Sequence, residues 1–116
     1  MFRLPAHLAE SPGGPEAFLP GDLIFHKRYH YRGVIVSVDP KCLADDAWYH
    51  SNQTQPKINQ PWYHVLVHNS TQITYTAHSS IEPDKLKSRI NHPMIAIYFE
   101  RFDAGHYIRN DKPWPG

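Results

Sequence analysis

From residue 18 to residue 108 the apolar positions come in short bursts, rich in β-branched and aromatic residues and cut off by Pro, Gly, Asn or Asp. That is the pattern of strands. Leu23-Ile24-Phe25-His26-Lys27 follows the turn former Pro20-Gly21-Asp22 and predicts the first strand. A second starts near Tyr31, runs through Gly33-Val34-Ile35-Val36-Ser37-Val38 and stops at Asp39-Pro40. Leu43, Ala47 and Trp48 then fall at helical spacing, with Asp45 and Asp46 at the end where negative charge suits the helix dipole, so one short helix is expected. Residues 51–60 are polar, carry Pro56 and read as an exposed loop. Residues 62–68 predict a third strand, Asn69-Ser70-Thr71 a hairpin turn, and residues 72–78 a fourth strand antiparallel to the third. Residues 81–93, interrupted by Pro83 and Pro93, read as irregular. A last strand or bent hairpin covers residues 95–108, with Gly105 at its corner.

Five or six short strands and one small helix predict an all-β fold, a small SH3-like antiparallel β-barrel, because closure would remove the edges of so small a sheet. An OB-fold is the alternative, since it too has five strands and can carry a helix. Residues 1–17, with Ser11-Pro12-Gly13-Gly14-Pro15 at their centre, read as a flexible N-terminal arm. Residues 18–109 form the barrel domain and residues 110–116 a Pro-containing C-terminal tail.

Composition narrows the class without naming a task. A chain of 116 residues that is 41% hydrophobic and 20% charged can support one modest core and is neither disordered nor collagenous. One cysteine, Cys42, forms no internal disulfide, and no apolar run reaches membrane length. A soluble chain in the reducing cytoplasm is the expectation. Twelve Lys and Arg against eleven Asp and Glu leave a formal charge of +1, short of the field of a dedicated nucleic-acid binder. Nine histidines change this, because protonating them would add as many positive charges in mild acid.

Those histidines do not make a metal site. His64 and His68 lie four apart, roughly 13 Å along a strand at about 3.3 Å per residue, too far to share one ion. No zinc-spaced Cys or carboxylate accompanies His26 and His30, so neither metal nor cofactor is expected. Catalysis finds equally little support. Cys42 has no evident base, Ser70 and Ser79-Ser80 lie outside any nucleophile elbow, and the adjacent Asp45 and Asp46 point apart on a helix. The chain reads as a non-enzyme.

The segment His26-Lys27-Arg28-Tyr29-His30-Tyr31-Arg32 stands out: three fixed cations, two imidazoles and two phenols in seven residues, with no acid among them. Cations of this kind meet phosphates and the rings can stack on bases or pack on sugars, which makes Lys27, Arg28, Tyr29, His30, Tyr31 and Arg32 candidate DNA contacts. The bland alternative is a soluble turn whose tyrosines lid the barrel. Trp48, Trp62 and Tyr63, with Tyr29 and Tyr31, could instead form an aromatic cage or groove for a protein partner.

Several of these pieces, taken in order, resemble one family. They are Pro20-Gly21-Asp22-Leu23-Ile24-Phe25-His26, then Tyr29-His30-Tyr31-Arg32-Gly33-Val34-Ile35, Trp48, Gln60-Pro61-Trp62-Tyr63-His64-Val65-Leu66, His92-Pro93 and Tyr98-Phe99. Over about residues 18–108 they resemble the heat-shock protein HspQ, or YccV-like hemimethylated-DNA-binding, family. The resemblance implies an SH3-like barrel without catalytic residues that tends to self-associate. Two roles travel with it: binding of hemimethylated duplex DNA, and action in proteostasis and the stress response as an adaptor that helps the Lon protease engage protein clients. Related domains occur in F-box proteins. The chain departs from the pattern at His68 and at His78-Ser79-Ser80, where acids are usual, which makes its surface less acidic. The leading expectation is therefore a non-catalytic module binding DNA through the basic aromatic turn, with a likewise oligomeric protease adaptor as the alternative.

Overall fold

The computed structural model describes residues 17–51 and 56–115. The expected N-terminal arm lies almost wholly outside the described residues. Seven strands run in chain order: β1 (Leu23–His26), β2 (Arg32–Asp39), β3 (Trp62–Val67), β4 (Ile73–Ala77), β5 (Ile81–Pro83), β6 (Phe99–Asp103) and β7 (His106–Arg109). Helix α1 (Asp46–Ser51) lies between β2 and β3, and a single helical turn, α2 (Ile95–Tyr98), leads into β6. The fold is all-β and antiparallel, as the periodicity predicts.

Five strands form one sheet in the order β4-β3-β2-β1-β5, and β6 and β7 form a separate two-stranded ribbon. The sheet is not closed. A short 3-10 turn, His78–Ser80, joins β4 to β5 without pairing them, so the expected barrel keeps two edges. Residues 81–93 also depart from expectation, because Ile81–Pro83 pairs with β1 through Ile24↔Pro83 and His26↔Ile81. Pro83 is tolerated there because β5 is an edge strand whose outer side makes no ladder.

The apolar run of β2 is continuous because both faces of the sheet are covered. Leu23, Val34, Val36 and Leu66 pack beneath Ile90, Tyr98, Phe99 and Tyr107, the last two carried by the β6–β7 ribbon. On the opposite face Ile24, Ile35, Tyr63, Val65 and Ile81 form the second core cluster. Each buried aliphatic side chain contributes about 1.5–3 kcal/mol. A bulge between Ile35 and Ser37 twists β2 across β3. Gly33 is required at this crossing, since a Cβ there would stand 2.4 Å from Val65 Cγ1 and 2.7 Å from the Leu66 carbonyl. The tail is not a loose end: Trp114 packs against the first cluster and meets the rings of Tyr98 and His64.

Helix α1 starts at the acids, so Leu43, which the helical spacing included, lies before it and is exposed. The Asp45 carboxylate accepts the Trp48 N–H at 2.8 Å, an N-cap on the third helical residue. That cap orients Trp48 onto a third cluster, in which Cys42, Trp62 and Ala77 are buried beside Tyr49 and Tyr75.

Candidate functional site

The basic run forms the turn between β1 and β2, and one side chain inside it builds the turn. His26 is buried, and its Nδ1 accepts the N–H groups of Arg28 at 3.2 Å and Tyr29 at 3.1 Å. The His30 N–H donates to the His26 carbonyl at 2.8 Å, and His30 takes the left-handed conformation, φ 59°, that lets the chain reverse. Burial, with Arg28 and His30 nearby, lowers the His26 pKa below its ordinary value. A ring whose Nδ1 accepts two bonds while its pKa falls is neutral, so His26 shapes the turn and adds no charge to it.

Strand alternation divides the remaining side chains between two sides. Phe25, His30 and Arg32 share one: the His30 ring stacks on Phe25 at 5.8 Å, and Arg32 pairs across from Phe25 in the register. Here the Arg32 guanidinium is held by a buried carboxylate. Its Nε and Nη2 donate to Asp84 Oδ2 at 3.1 and 2.9 Å, and Nη2 also donates to the Ser88 carbonyl at 2.6 Å. Burial pushes the Asp84 carboxyl up, but Arg32 and the Lys87 N–H outweigh it and hold the group below the usual carboxylate range. Arg32 thus fastens β2 to the segment after β5. Lys27 and Arg28 differ. Both are exposed at the tip, and neither has a carboxylate within ion-pair distance among the described residues. The Arg28 guanidinium lies 5.6 Å from the Tyr29 ring centroid.

On the other side His26, Tyr29 and Tyr31 line a cleft of about 350 Å³. Their rings are layered, His26 lying 4.8 Å from Tyr29 and 5.0 Å from Tyr31. Trp48, Trp62 and Tyr75, a second group of touching rings, line the same cleft. The two candidate sets therefore meet, though not in full. Tyr63 lies on the opposite face of β3 from Trp62, fully buried, with its hydroxyl bonded to His78 Nδ1 at 2.8 Å and accepting the Phe18 N–H at 3.0 Å. Burial pushes its phenol up to about 12. Trp62 is itself almost wholly buried, donating its indole N–H to the Lys57 carbonyl.

Residues of β4 that the basic run and the tryptophans do not announce complete the cleft. The Tyr31 hydroxyl meets Thr74 Oγ1 at 2.6 Å. Tyr75 donates to Asp39 Oδ2 and accepts the Leu43 N–H, which locks its ring; burial pushes its phenol up strongly. Thr76 is buried, and its hydroxyl has no hydrogen-bond partner among the described residues; it lies near Tyr31 but outside bonding geometry. The β3–β4 register bonds Thr74 and Thr76 to β3, so Ile73, Tyr75 and Ala77 direct their backbone groups to the free edge of the sheet. Period-two alternation in Ile73-Thr74-Tyr75-Thr76-Ala77 is the signal that could have separated these faces in advance.

A family model described as "Hemimethylated DNA-binding protein YccV like" matches residues 17–106. Among curated proteins the chain is similar to F-box only protein 21 of Homo sapiens and of Mus musculus, at 33% identity over 93 residues in each case. The alignment covers 78% of this chain but 15% of each relative, so the match is to one part of a much longer protein.

Proposed function

The chain belongs to the YccV-like hemimethylated-DNA-binding family, and from that premise we propose that it is a non-catalytic module that binds duplex DNA through the tip of the β1–β2 turn. The observation that carries this is the pair Lys27 and Arg28, exposed, unneutralised among the described residues, and held on a turn that His26 braces. In this reading the two cations neutralise phosphates, while Tyr29, 55% exposed, packs on sugar or base. Arg32 supports the turn from behind through Asp84 and makes no phosphate contact. His30 stands on the Arg32 side and contributes at most a peripheral contact.

Two phosphate contacts give a salt slope of only about −1.8, so one domain binds weakly. Self-association that sets several turns along one duplex raises avidity. Anisotropy titrations with hemimethylated duplex across a salt series test the assignment. The Lys27→Ala, Arg28→Ala double variant should flatten the slope to near zero, and an unchanged slope removes the turn from the interface.

A second reading, an adaptor presenting clients to the Lon protease, draws on the free edge of β4, where an extended peptide could add as a strand. Such binding would survive high salt, since it rests on backbone hydrogen bonds and apolar contact.

A further inference from the structure

Resting on the DNA-binding reading, we propose that the aromatic cleft beside the turn is a pocket for a single nucleobase extruded from the duplex. Rings wall this cleft: those of His26, Tyr29 and Tyr31 and those of Trp48 and Tyr75 line one space of about 350 Å³. Cavities of this size hold small-molecule ligands, and bases gain from stacking between aromatic side chains. The pocket also holds an unmet polar group. Thr76 is only 5% exposed and its hydroxyl, near Tyr31 but outside bonding geometry, has no partner among the described residues, a state that costs free energy until a ligand supplies a donor or acceptor.

Charge selects among possible occupants. Among the described residues no carboxylate lines the cleft, and the neighbouring turn tip carries Lys27 and Arg28 without counter-ions. A methylated ammonium would meet like charge there. A nucleotide brings a neutral ring for the slot and phosphates for the two cations. Ala77 and Ile73 provide an apolar part of the lining where a base methyl group can rest without a polar partner.

The test uses the full chain with two hemimethylated duplexes, one carrying N6-methyladenine and the other 5-methylcytosine, each with 2-aminopurine beside the methylated base. Extrusion should raise 2-aminopurine fluorescence several-fold on binding to at least one duplex. A mismatch opposite the methylated base should tighten binding about tenfold, because the unpairing cost is already met. Thr76→Val, which keeps the side-chain shape, should weaken hemimethylated binding roughly fivefold. Trp48→Ala should abolish the fluorescence change. Salt-dependent binding with flat fluorescence on both duplexes overturns the pocket while leaving the DNA reading intact. Loss of all duplex binding overturns both and leaves the cleft to a peptide on the β4 edge.

Discussion

Arg28 and Arg32 stand four residues apart on one hairpin, and their surroundings are opposite. Arg32 is folded against Asp84 and the Ser88 carbonyl with only 13% of its side chain exposed, whereas Arg28 projects from the tip with a tyrosine ring as its neighbour. Equal formal charge has separated into a structural tie and an available cation. The cause is strand periodicity. Arg32 falls on the face where the chain leaving β5 delivers Asp84, and Arg28 lies beyond the last paired residue, where no element among the described residues returns to meet it.

The largest effect should come from the buried tie. Arg32→Ala leaves a carboxylate 3% exposed without its cation and should cost about 3–5 kcal/mol in urea unfolding, with duplex affinity of the folded protein unchanged. A loss of affinity without a loss of stability would erase the distinction between the two arginines. Next is His26→Ala, which removes both turn bonds and a buried ring and should cost about 2 kcal/mol. Tyr31→Phe, which deletes only the hydroxyl bonded to Thr74, should cost about 1 kcal/mol by thermal or urea melting.

Acid sharpens the same contrast. His26, His64 and His68 all have pKa values lowered first by burial, so the unfolded chain takes up protons before the folded one as pH falls below about 6.5. Stability should decline from pH 7 toward the lowered folded values. The His26→Gln variant should flatten part of that decline, and a urea midpoint that rises on acidification would contradict it. Asp84 acts lower down: its stabilisation is complete above the ordinary carboxylate pKa and is lost as pH falls through its depressed folded value. Mild acid therefore does not charge the whole histidine set, and the acid-enhanced anion binding suggested by composition receives nothing from His26.

The smallest effect on stability belongs to the residues proposed to matter most for binding. The Lys27→Ala, Arg28→Ala variant should melt within about 0.5 kcal/mol of the parent, as exposed substitutions usually do, while its duplex affinity falls. A large loss of stability would mean that the tip, like Arg32, is a structural tie.

Local signals in the chain were sufficient for β1 to β4, the acidic start of α1 and the β3–β4 hairpin, because each depends on alternation, turn residues or charge at a helix end. Strand β5 was hidden, since three residues ending in proline carry no period of their own and become a strand only against β1. The site was legible in the same measure. The acid-free basic run marked the turn, but its density of charge gave no hint that one of its arginines was already engaged.

An all-β chain with a cationic, phenol-rich turn is written in neighbouring residues and needs no distant partner. It takes the folded sheet to bring Arg32 to a carboxylate 52 positions away, to turn Tyr63 into the core, and to set Tyr29 and Tyr31 in one cleft with Trp48 and Tyr75. Those outcomes depend on which strands pair, and pairing is a long-range balance of packing and hydrogen bonding across the whole sheet that no local window contains.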